Sequence, residues 1–161
     1  MKSIVKFFVV ICFVAFFTVS QSQAQEKKLV TGNSVTLGFP IGDMENMYDM
    51  GWGIYGNVDY NFSKFLTGRF DLGWSTFSNN LAPVEGIEFD NLDIWEFTGG
   101  LRANISVFYL EGRGGYFTGI NQWGFVPAVG LRFGKLDIQG SLTVAGDYQW
   151  GGVRIGYYWG N

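Results

Sequence analysis

"FTGGLRANISVFYLEGRGGYF", residues 97–117, is too apolar for a soluble loop, yet Arg102, Glu111 and Arg113 stand inside it. Reading every second residue separates two kinds of position. From Trp95 to Ile105 the odd positions are Trp95, Phe97, Gly99, Leu101, Ala103 and Ile105; the even ones are Glu96, Thr98, Gly100, Arg102 and Asn104. After Ser106-Val107 the alternation resumes, with Phe108, Leu110, Gly112, Gly114 and Tyr116 set against Tyr109, Glu111, Arg113, Gly115 and Phe117. Residues two apart share one face of a β-strand. One face is therefore apolar and free of charge, and the other carries all the charge.

Working outward, eight segments read this way: about 34–41, 51–62, 66–77, 94–105, 108–118, 123–133, 136–146 and 150–159. Where a segment holds two charges they fall on one parity: Arg69 with Asp71, Glu96 with Arg102, Glu111 with Arg113, Asp137 with Asp147. A soluble barrel would put its large apolar residues inside. Here the charged face is the one with the small residues, including Gly53, Gly73, Gly100, Gly115, Gly124, Gly130 and Gly156. The opposite face holds Trp52, Trp74, Trp95, Trp123, Tyr157 and Trp159, mostly near strand ends, where interfacial aromatics sit. Segments of this length match tilted strands crossing an apolar band of ~25 Å. The expected fold is all-β, an eight-stranded antiparallel up-and-down transmembrane β-barrel, closed because lipid cannot satisfy an unpaired edge.

Length and composition agree with a single domain: 161 residues suffice for one barrel and not comfortably for two. Residues 1–24 read as a secretory signal, with Lys2 and Lys6 before an apolar run from Phe7 to Val19 and a small-x-small site at Ser22-Gln23-Ala24. That run is shorter than the roughly 20 residues a spanning helix needs. Residues 25–161 are then the outer-membrane barrel. The single cysteine, Cys12, falls inside the signal, so the remainder has no thiol chemistry. A net charge of −3 excludes a broad basic face and with it a nucleic-acid partner.

Connector lengths orient the barrel. Links 2–3, 4–5 and 6–7 are short (63–65, 106–107 and 134–135), while 42–50 and about 78–93 are the longest. Short periplasmic turns and longer outer loops put both chain ends inside. The short turns also set registers, with Asp59 opposite Arg69, Arg102 opposite Glu111 and Arg132 opposite Asp137. Together with Asp71, Glu96, Arg113 and Arg154, these residues are expected to form a lumenal network of charge-assisted hydrogen bonds. Counting Asp147 among the lumenal acids gives six acids against five arginines. An eight-stranded barrel is about wide enough for side chains to fill it. Catalysis of the Ser–His kind lacks its base, because the chain has no histidine. No phosphate-cradling loop or Cys/His metal spacing occurs either, so no catalytic residue, cofactor or metal site is assigned.

The outer loops are acidic: Asp43, Glu45 and Asp49 in the first, Glu85, Glu88, Asp90 and Asp93 in the second. Lys27, Lys28, Lys64 and Lys135 mark the other end. The acids read as a solvated rim. The functional alternative is divalent-cation bridging to lipopolysaccharide phosphates or docking of a basic partner. Asp90-Asn91-Leu92-Asp93 offers oxygens to Ca²⁺ without the spacing of a known loop.

The signal segment, the eight alternating strands and the closing "VRIGYYWGN" resemble the small OmpA/OmpX-type outer-membrane barrels of Gram-negative bacteria. The resemblance implies residence in the bacterial outer membrane, contact with its lipid and lipopolysaccharide, and insertion by the outer-membrane assembly machinery. In that family the last strand ends in an aromatic residue; here Trp159 is third from the end. The expected function is that of a non-enzymatic envelope scaffold whose loops meet the outside, with the acids as a surface for an extracellular partner. The runner-up is a transport or ligand-binding barrel with a small molecule in its lumen.

Overall fold

Alternation of lipid-loving and polar residues carries strands through most of the chain. In the computed structural model, which describes residues 28–81 and 90–159, these are β1 (Leu29–Ile41), β2 (Tyr48–Asn61), β3 (Leu66–Asn79), β4 (Leu92–Ile105), β5 (Phe108–Phe117), β6 (Gln122–Phe133), β7 (Leu136–Ala145) and β8 (Tyr148–Trp159). The expected signal segment and part of the second outer loop lie outside the described residues. Each strand pairs antiparallel with the next, and β1 pairs with β8 from Thr31–Trp159 to Ile41–Gln149, closing the barrel. β1 starts five residues earlier than its alternation suggests. Its first residues are held from both sides, by Tyr60 of β2 opposite Leu29 and Trp159 of β8 opposite Thr31. Two flanking ladders extend a strand that weak patterning would end.

Sidedness is inverted relative to a soluble barrel. Arg102 is 0% exposed while its neighbour Leu101 is 55% exposed. Such an apolar exterior suits lipid and not water. Aromatic pairs frame it at both ends. Trp52–Trp74 (centroids 5.3 Å apart) and Tyr116–Trp123 (5.5 Å) lie toward the longer loops. Tyr60–Phe62 (5.1 Å) and Tyr157–Trp159 (4.8 Å) lie toward the short turns. Trp52 and Tyr60, eight residues apart on β2, span about 26 Å along the strand, or about 20 Å along the membrane normal at a tilt of about 40°. That height fits the apolar band of a bilayer.

The short turns are built for tightness. Gly134 takes φ 59° and Ser106 φ 61°, left-handed values that only the first adopts without a Cβ penalty. In the β2–β3 turn the Ser63 hydroxyl accepts from the backbone N–H groups of Phe65 (3.2 Å) and Leu66 (3.1 Å). One seam is incomplete. The β6–β7 pairs jump from Phe125–Val144 to Ala128–Ser141. Pro127, facing Leu142 in that gap, has no N–H to give.

Candidate functional site

The lumen is where sequence and fold concentrate polar chemistry, and it is built by parity. The even residues of β4 and the odd residues of β2, β3, β5 and β7 point inward, as do the even residues of β6 and β8. All five arginines of the chain therefore meet inside, with Asp59, Asp71, Glu96, Glu111 and Asp137. Charges are five of each sign, so the interior is neutral.

Ion pairs connect these groups into one column. At the short-turn end Arg132 reaches Asp59 (2.8 Å) and Asp137 (3.3 Å), and both acids also face Arg102 (3.4 and 3.5 Å). Arg102 donates from Nε to Glu111 at 2.7 Å. Glu111 is flanked by Arg113 (2.8 Å) and Arg69 (3.5 Å). Both of these converge on Asp71, Arg69 at 2.7 Å, with Arg154 joining them at 2.6 Å. Neutral groups fill the remaining positions: Asn57 donates to Asp71, Gln139 to Glu111, and Tyr109 to Asp137 at 2.8 Å. Buried charges are tolerable only when paired and hydrogen-bonded in this manner.

Of the three hairpin pairs read from register, Arg102–Glu111 and Arg132–Asp137 are in contact. Asp59 and Arg69 face each other in the β2–β3 ladder, but their side chains take other partners. The reason is reach. A long guanidinium in a narrow lumen spans the axis, so Asp59 on β2 is met by Arg102 of β4 and Arg132 of β6. Glu96 departs further: it accepts from the hydroxyls of Tyr55 and Ser75 (2.9 Å for the latter), and among the described residues it makes no ion pair within 4 Å. Asp147 is not lumenal. It sits in the exposed β7–β8 turn, because β7 ends at Ala145 and the alternation that carried Asp137 inward does not extend to it.

Three tyrosines hold the arginines flat. Arg154 stacks on Tyr55, Arg102 on Tyr109 and Arg132 on Tyr158, each 3.8 Å from the ring centroid. Each ring lies over a glycine directly across the ladder, Gly73, Gly130 and Gly32 respectively. A Cβ at Gly73 or Gly130 would collide with the ring of Tyr55 or Tyr109. These glycines are the space in which the tyrosines lie. Tyr55 and Tyr158 went unread in the sequence, although their parity matches that of Asp59 and Arg154.

Toward the longer loops the lumen changes character. Phe77 and Phe117 each pack edge-to-face on Trp150 at 5.6 Å, with Ile94, Val126 and Ile120 around them. A 3-10 helix, Gly42–Asn46, folds over this plug and buries Met44 against it. The interior is thus charged below and apolar above, where sequence reading expected charge and small residues alone. Parity was a usable signal for Phe77 and Trp150; nothing in the loop marked Met44.

The acidic set stands outside. Asp43 and Glu45 lie on the 3-10 helix, and Asp49, Asp90 and Asp93 are exposed at the same end, where Asp147 joins them. Glu85 and Glu88 fall outside the described residues. Asn91 spends its side-chain oxygen on the N–H of Asn79 (3.2 Å). No lysine or arginine occurs in any connection at this end.

No protein-family description matches the chain, and no curated protein matches it in sequence. Among solved structures it is similar to Ail, the attachment invasion locus protein of Yersinia pestis, at 14% identity and a TM-score of 0.53, covering 81% of this chain and 97% of that one. The structure of Ail in complex with the heparin analogue sucrose octasulfate matches over the same shares, with a TM-score of 0.54. The chain thus shares with Ail the fold of a closed eight-stranded antiparallel barrel, and it turns a carbon-rich face outward as a membrane-spanning barrel does.

Proposed function

We propose that the protein is a non-enzymatic scaffold of the bacterial outer membrane, exported by a signal at residues 1–24, whose acidic outer rim is its contact surface. The observation that carries this reading is the filled lumen, a neutral column of ion pairs under an aromatic plug. Each lumenal acid is engaged by an arginine or hydroxyl donor, Asp59 through one of its two oxygens, which favours a structural role for these groups over proton transfer. Ring-on-ring packing around Trp150 also argues against a lumenal small-molecule site, which would need an open apolar cavity.

Rim charge selects the partner. A polysulfated ligand such as the heparin analogue held by Ail calls for cations, and this rim offers only acids. The fitting partners are a basic protein surface or divalent cations bridging to lipopolysaccharide phosphates. Refolded protein should bind immobilised polylysine and not sucrose octasulfate, and neutralising Asp43, Glu45, Asp90 and Asp93 to Asn or Gln should weaken polylysine binding at least ten-fold. Equal binding by the neutralised variant would overturn the assignment.

A further inference from the structure

The three lysines among the described residues, Lys28, Lys64 and Lys135, are exposed at the short-turn end. They occupy one continuous arc of that rim. The carbonyl of Lys135 in the β6–β7 turn accepts from the N–H of Tyr158 on β8 (2.8 Å). β8 pairs with β1, and the carbonyl of Lys28, just before β1, accepts from Asn61 at the end of β2 (2.7 Å). Lys64 then lies in the β2–β3 turn. The remaining turn, Ser106-Val107 between β4 and β5, carries no charge and is flanked by exposed Ile105 and Phe108.

The same arc holds the aromatic side chains Phe62, Phe65, Phe133, Tyr157 and Trp159, all outward and exposed. Phe65, at 75% exposure, directly follows Lys64 in the chain. Aromatic rings at this height mark the level where acyl chains give way to headgroups. A lysine stem lies along such apolar surface and lifts its ammonium to the headgroup phosphates. We propose that this arc is a binding surface for anionic glycerophospholipids of the leaflet that meets the short turns. The rings place the ammonium groups in the lipid interface and not in free water, which favours a membrane lipid over a soluble polyanion. The opposite sector, at the β4–β5 turn, has anchors without cations and shows no such preference. The surface is separate from the acidic rim, and its test is independent of the function proposed there.

Spin-labelled lipids provide the test. The barrel is reconstituted in phosphatidylcholine vesicles, and the motionally restricted fraction of labelled phosphatidylglycerol is compared with that of labelled phosphatidylcholine. With each lysine contributing up to about five-fold at low salt, the anionic lipid should be preferred several-fold, and the preference should shrink as ionic strength rises. The triple variant Lys28→Gln/Lys64→Gln/Lys135→Gln should associate with both lipids equally, while the triple Lys→Arg variant retains the preference. Heat-modifiable gel mobility verifies that each barrel is folded. Should the triple Gln variant fail to fold, Lys135→Gln alone is expected to reduce the preference measurably. Equal association in the unmodified protein, or an undiminished preference in the Gln variants, overturns the proposal.

Discussion

Glycine 73 shows how the interior works at the scale of one residue. Its missing Cβ is the floor on which the Tyr55 ring rests, and that ring in turn supports the Arg154 guanidinium. Gly73→Ala forces ring or strand to move, and overpacking of this kind costs about 1–3 kcal/mol. Urea titration of the refolded barrel should register the loss, and Gly73→Ala combined with Tyr55→Leu should recover part of it. Charges behave as a set. Asp71 receives Arg69, Arg113 and Arg154; Asp71→Asn leaves the first two with Glu111 alone and Arg154 with no carboxylate, and should destabilise by about 3–5 kcal/mol. The double variant Asp71→Asn/Arg154→Met, with the interior closer to neutral, should be the more stable of the two by the same titration. Residue parity was legible in the sequence because period 2 is a backbone property. Partner choice was not, since a guanidinium can cross a narrow lumen to any of several strands; Asp59 with Arg132 is the clearest instance.

Among the elements, β6 stands out for Pro127. With no N–H, it leaves the acceptor it faces on β7 without that donor, at mid-wall where lipid offers no replacement. Pro127→Ala should restore the ladder and stabilise the barrel by about 1 kcal/mol, and amide exchange along β6 and β7 should slow in the variant. Faster exchange would show that the gap is required by the packing around it. Strand placement was readable nearly throughout, because the hydrophobic pattern and the turn residues agree. The exceptions have structural causes. The start of β1 depends on its two neighbours, and the 3-10 helix over the lumen depends on a buried Met44 that no local pattern announces.

For the molecule as a whole, charge is sorted along the axis: acids on the outer rim, a balanced column within, lysines at the short turns. A neutral, filled interior should give no steady conductance when the purified protein is inserted into a planar bilayer. Truncating the plug by Trp150→Ala together with Phe77→Ala should leave the closed wall intact while introducing brief openings. Persistent channels in the unmodified protein would contradict a filled lumen. That closed wall was legible from the inverted sidedness of residues 97–117, whereas the aromatic plug, which shares its parity with the charges, was hidden by them.

Five of the six tryptophans face outward, and Trp150 alone is turned inside, 3% exposed beneath Met44. The fluorescence of the chain thus divides into two populations by topology. Acyl chains carrying bromine would extinguish the outward rings on contact and leave the enclosed indole emitting. The residual light is an optical gauge of the plug, available without any label being attached.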